Sequence, residues 1–77
     1  IIIANHGSEH HLVATTLNNL GAAFQSQNRY PEAIVALEEA KRIEVAFNGS
    51  DHPSVASTLN NLGIVYASQA RHSDAIA

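Results

Sequence analysis

The sequence predicts an all-α protein of antiparallel helix-turn-helix units stacked into an α-solenoid, and three observations carry that prediction. The stretch VATTLNNLG at Val13–Gly21 returns as VASTLNNLG at Val55–Gly63. The offset of 42 residues, from Leu17 to Leu59, needs no gap, and about half of all comparable positions are identical under it, the mark of a repeat architecture. Apolar residues within each copy fall at helical rather than alternating spacing.

Read in order, residues 1–9 are the tail of a preceding unit, meaning the end of its second helix and a loop. Residues 10–51 form one complete two-helix unit. Residues 52–77 supply the first helix, and the start of the second helix, of the next unit. The absence of an initiating Met and the ending at Asp74–Ala77 point to a piece of a longer array.

Leu17, Leu20, Gly21 and Phe24 sit at i, i+3, i+4 and i+7, one face of a helix, and Leu59, Leu62, Gly63 and Tyr66 repeat it. A break is expected at Ser26–Pro31, with Pro31 in the first turn of the second helix and Glu32 complementing its positive end. Ala33, Leu37, Ala40 and Glu44 then align along that helix, flanked by Ile34, Ile43 and Phe47. Asn48 and Gly49 are a stop signal, since glycine takes the left-handed conformation that ends a helix, and Pro53 opens the next. Gly21 and Gly63 are expected to act as notches that let the second helix of a unit approach through Ala33 or Ala75.

These residues resemble the tetratricopeptide repeat. Its pattern, a helix with Trp-x-x-Leu-Gly-x-x-Tyr followed by one with Ala-x-x-x-Phe, maps onto Leu17, Leu20, Gly21, Phe24, Ala33 and Leu37, and again onto Leu59, Leu62, Gly63, Tyr66 and Ala75. The stretch from Asp51 to Ala77 looks more narrowly like the longer repeats of kinesin light chains and of multidomain signalling proteins. Leu stands in place of the Trp, Val45 in place of the closing Pro, and the period exceeds the usual 34 residues or so. The excess implies an extended second helix and connecting loop. The resemblance also implies a right-handed solenoid whose stacked first helices line a concave wall, cytoplasmic in location, serving as a scaffold for a protein or peptide partner.

On that wall the sequence places Thr15, Asn18, Asn19, Ala22, Gln25 and Ser26, then Ser57, Asn60, Asn61, Ile64, Ala67 and Ser68. An Asn side chain both donates and accepts, so it can pair with a peptide backbone of any sequence. The family commonly uses the Asn before Leu-Gly in this way, which selects Asn19 and Asn61. Against that stands a simpler use, in which these amides tie one helix to the next.

Other chemistry finds little support. Four Lys plus Arg against seven Asp plus Glu, thinly spread, make no basic footprint for nucleic acid or anionic lipid. With no Cys there is no thiolate metal site or nucleophile, and an intracellular setting fits. His6 and His10 have the i, i+4 spacing of a zinc pair, but Gly7 and Ser8 are expected to break any helix between them. His10 also matches His52 under the repeat, which suggests hydrogen bonding near a helix start. His72, Ser73 and Asp74 are neighbours on a helix and cannot form a relay. Glu38, Glu39 and Glu44 with Lys41 and Arg42 read as a solvated surface. No enzyme activity, cofactor, metal, nucleic acid or membrane partner is expected. The alternative function is self-association through exposed repeat ends, where Ile1, Ile2 and Ile3 lie, as a homo-oligomer or an assembly segment.

Overall fold

A computed structural model of the chain describes the backbone of residues 6–76 and the side chains of residues 10–73. Three helices follow one another: α1 (His6–Ser26), α2 (Tyr30–Asn48) and α3 (Pro53–Ile76), with no strand among the described residues. Side-chain partners give their directions. Gly21 of α1 faces Leu37 of α2 and Asn18 faces Glu44, so the order reverses and the pair is antiparallel. Glu44 meets Thr58 while Glu38 meets Tyr66, so α2 and α3 are antiparallel as well. Asn18 pairs with Asn61 and Gln25 with Ser68, which sets α1 and α3 side by side and parallel.

The turn between α1 and α2 rests on Asn28, which takes φ 61°. Asn is among the few non-glycine residues that visit this left-handed region readily. Its Oδ1 accepts the Tyr30 hydroxyl at 2.8 Å, and the Arg29 amide donates back to the Phe24 carbonyl at 2.8 Å to close the helix end. Pro31 and Glu32 occupy the first turn of α2 as expected. At the other end Gly49 has φ 86° and its amide donates to the Val45 carbonyl at 3.0 Å. His52 then precedes α3, its Nδ1 accepting the Ser54 amide at 3.1 Å, the capping role its position suggested.

Three expectations are corrected. Gly7 and Ser8 do not interrupt α1, which starts at His6; a glycine within a helix costs only about 1 kcal/mol. His10 consequently lies on a helix and not in a loop, its ring stacked on Phe47 with centroids 4.0 Å apart. The second change is larger. The repeat places a turn near residues 69–73, with the start of a second helix behind it, yet α3 runs unbroken to Ile76. Ala70 stands where Asn28 takes the left-handed conformation, and Ser73 stands where Pro31 opens α2, so both devices that make the first turn are missing.

The third concerns the glycine notches. A Cβ on Gly21 would lie 2.6 Å from Leu37 Cγ, so Leu37, rather than Ala33, fills the notch. Gly63 has nothing within 4 Å of such a Cβ and Ala75 lies outside the described side chains, so the second notch is open. The core itself is small: Tyr30, Ala33 and Leu37 of α2 close on Leu62 and Val65 of α3, with Phe24 and Ile34 at its edge. Ala33 and Ala40 are fully buried, and having little side chain they let neighbouring helices come close while Leu37 and Val65 supply apolar burial.

Candidate functional site: the polar seam and the strips beside it

Beside the apolar core, α1, α2 and α3 also meet through polar contacts. Thr58, fully buried on α3, donates its hydroxyl proton to Glu44 Oε1 at 2.6 Å and accepts from Asn18 Nδ2 at 3.0 Å. The same Asn18 amino group also lies 3.3 Å from Glu44 Oε2, and Asn18 Oδ1 accepts from Asn61 Nδ2 at 3.3 Å. Further along, Gln25 Nε2 donates to Ser68 Oγ at 3.3 Å. The Asn18–Thr58, Asn18–Asn61 and Gln25–Ser68 bonds join α1 to α3, and Glu44, bonded to both Asn18 and Thr58, adds α2 to the joint.

Glu44 is a correction to the sequence reading. It is 6% exposed, not solvated, and both carboxylate oxygens accept hydrogen bonds. A buried carboxylate is costly unless its oxygens are partnered, and no buried side-chain nitrogen or oxygen among the described residues lacks a partner. The signal was present: Glu44 lies in line with Ala33, Leu37 and Ala40, all of them buried. Its former companions do lie on the surface, as the i, i+3 pairs Lys41–Glu38 and Arg42–Glu39. The hydrogen bond from Arg42 holds the Glu39 carboxyl below its ordinary value.

The twelve residues assigned to the wall fall into two groups. Asn18, Gln25, Asn61 and Ser68 are half-buried and committed to one another or to α2 in the seam. Thr15, Asn19, Ala22 and Ser26 form an exposed strip on α1, and Ser57, Asn60, Ile64 and Ala67 form another on α3. Ser26 folds its hydroxyl back onto the Ala22 carbonyl at 3.1 Å. Asn19 and Asn60 lie on the exposed strips and make no side-chain hydrogen bond among the described residues. The paired asparagines of each copy thus divide their labour, but unlike the family carry-over, which favours Asn19 and Asn61, the exposed amides are Asn19 and Asn60.

Two hollows lie elsewhere. One, about 410 Å³, is lined by Leu17, Leu20, Phe24, Pro31, Val35 and Ala36 between α1 and α2. The other, about 1020 Å³, follows the outer side of α2 past Val35, Arg42 and Val45. Both are apolar and open. Leu20, which lines the first, is 43% exposed and Val13 is 48% exposed, although their repeat equivalents Leu62 and Val55 are buried. No group of three potential metal-ligating side chains occurs among the described residues, and no described helix is long and apolar enough to cross a membrane.

The family model of the tetratricopeptide repeat matches residues 1–43 and again residues 29–77, two overlapping matches that together span the sequence. Comparison with curated proteins and with solved structures gives no match. Paired antiparallel helices, a leucine seated on the Gly21 notch and two overlapping family matches lead to one conclusion: the chain belongs to the tetratricopeptide repeat family.

Proposed function

We propose that the chain is a protein-interaction scaffold that holds an extended peptide or partner segment across the exposed strips of α1 and α3. Repeats of this family are non-catalytic and generally mediate contacts between proteins. The observation that carries the reading is the division of the asparagines. Asn18 and Asn61 are spent within the seam, whereas Asn19 and Asn60 stand exposed on either side of it, each able to donate to and accept from a peptide backbone. The strips carry no Lys or Arg, so a neutral backbone suits them better than an acidic terminus. A longer kinesin-light-chain-like repeat and a cytoplasmic setting belong to the same proposal.

Titrating partner segments against the Asn19→Ala, Asn60→Ala double variant tests it. Lost affinity with an unchanged melting curve supports the strips as the site; full affinity in the double variant rejects them. A second reading, assembly through the repeat ends, draws support from Val13, Thr16 and Leu20, exposed although their equivalents Val55, Thr58 and Leu62 are buried. Sizing chromatography across a range of concentrations checks that reading, which a monomer at every concentration rules out.

A further inference from the structure

The connection between α2 and α3 is held at both ends of a single residue. The Gly49 amide donates to the Val45 carbonyl at 3.0 Å and closes α2, while the Gly49 carbonyl accepts the His52 amide at 3.2 Å and fixes the turn before α3. Gly49 has φ 86°, and nothing lies within 4 Å of where its Cβ would stand. The residue before it is Asn48, the last of α2, and among the asparagines of the sequence it alone precedes a glycine. Asn48, Gly49 and Ser50 are all exposed.

That dipeptide has a chemistry of its own. The main-chain nitrogen that follows an asparagine can attack the side-chain Cγ, and a side chain on the following residue crowds the approach; glycine has none. Inside a helix the attack is barred, because the nitrogen is held in a backbone bond and the helical ψ keeps it away from Cγ. Asn18, Asn19, Asn60 and Asn61 lie within α1 and α3, each before Asn or Leu. Asn28 precedes Arg29, whose amide is held by the Phe24 carbonyl at 2.8 Å. At Asn48 the bond to open is the last one of α2, from Gly49 to Val45, and helix termini open at the least cost. The carboxamide itself is tied only by a long bond from Nδ2 to Ser54 Oγ, 3.4 Å.

We propose that Asn48 is a modification site of the folded chain, converting without an enzyme to aspartate and isoaspartate, and that the change loosens the joint between successive units. When the last turn of α2 opens, a base from solvent takes the Gly49 amide proton, and the electron pair on that nitrogen forms a bond to Asn48 Cγ. The bond from Cγ to Nδ2 breaks, and Nδ2 leaves as ammonia with a proton from water, closing a succinimide ring. Water then adds to either ring carbonyl. Cleavage at Cγ restores the original main chain and leaves aspartate. Cleavage at the main-chain carbonyl of residue 48 routes the chain through Cβ and Cγ instead, leaving isoaspartate and lengthening the backbone by a methylene. Nothing is oxidised or reduced, and water is the co-reactant.

Either product sets a carboxylate at the C-terminal end of α2, where the free carbonyls already carry negative charge, and removes the Nδ2 donor to Ser54. In isoaspartate the Gly49 amide and carbonyl are also displaced from Val45 and His52, the two groups that fix the connection. The bond between Thr58 and Glu44 bridges the helices on either side of it, so the loss is felt in the seam. The site is remote from the roles given to Asn19 and Asn60, and does not rest on them.

The folded full chain, held at neutral pH, is mapped by mass spectrometry over time, with isoaspartate read by an isoaspartyl methyltransferase. Modified and unmodified fractions are separated by ion exchange and melted side by side. Exchange of amide for acid should accumulate at Asn48 ahead of the asparagines within α1 and α3, with isoaspartate present, and the modified fraction should melt at the lower temperature. Asn48→Gln, a change at an exposed position that keeps the carboxamide but demands a larger ring, should stop the conversion while the chain melts as the parent does. An Asn48 that stays intact in the folded chain and converts only in urea overturns the proposal. So does conversion spread evenly over Asn19, Asn48 and Asn60, or conversion at residue 48 that persists in Asn48→Gln. A modified fraction that melts with the parent overturns the loosened joint.

Discussion

Leu37 rests on Gly21 with no room for a methyl group between them: a Cβ on Gly21 would fall 2.6 Å from Leu37 Cγ. Leu37 is buried to 1% exposure, so it has little freedom to withdraw. The equivalent Gly63 faces open space. One sequence motif therefore has two environments, and substitutions should separate them.

Gly21→Ala is expected to destabilise through overpacking, a cost of about 1–3 kcal/mol that exceeds the helix-propensity gain. Gly21→Leu should cost more. Gly63→Ala should instead stabilise by about 0.5–1 kcal/mol, because only the propensity gain remains. Thermal melts of the variants against the parent decide, and equal shifts of the same sign would contradict the packing described.

Thr58→Val keeps the shape of the side chain but removes the hydroxyl that serves Glu44 and Asn18. A loss of about 1–3 kcal/mol is expected, since buried acceptors are left short of a donor. In a double-mutant cycle with Asn18→Ala the two losses should not add, because both residues belong to one network. Urea denaturation measures this; strict additivity would mean the network is not coupled.

Arg42→Gln provides the contrast. Its hydrogen bond lowers the Glu39 pKa, so whatever the pair contributes is present above the ordinary carboxylate range and lost as pH falls through the depressed Glu39 value. Both groups face solvent, where such pairs are screened by salt. Urea midpoints of Arg42→Gln and parent at neutral pH and physiological salt should coincide, whereas Thr58→Val should shift under the same conditions.

Asn28→Ala should cost about 1–2 kcal/mol for placing an alanine in the left-handed region, besides the lost Tyr30 contact. Asn28→Gly should be tolerated better. The reverse graft, Ala70→Asn with Ser73→Pro, should end α3 before Ser73, seen as lost helical chemical shifts there; an unbroken helix would show that these two residues are insufficient to make the turn.

The helices α1 and α2, their turn, the Gly49 stop and the Pro53 start were legible because each depends on local rules: helical spacing, a proline in a first turn, a left-handed cap. The missing second turn was less so. Identity at Arg71, Ala75 and Ile76 suggested it, while the two residues that matter for chain direction, Ala70 and Ser73, had changed. Glu44 escaped because its charge outweighed its place in the Ala33–Leu37–Ala40 line, and its acceptance in the core depends on Thr58 and Asn18, which come from two other helices. Which asparagine of each pair meets solvent depends on how α3 is rotated against α1, a relation no spacing along one helix contains.

The seam joins Asn18 to Asn61, one residue more than the period that relates the two copies. The first asparagine of the α1 pair, Asn18, consequently reaches forward along the stack to α3, and the second of the α3 pair, Asn61, reaches back to α1. A row of such units is polar like an arrow. Along the stretch from α1 to α3, Asn19 and Asn60 are the members of the two pairs that stay exposed.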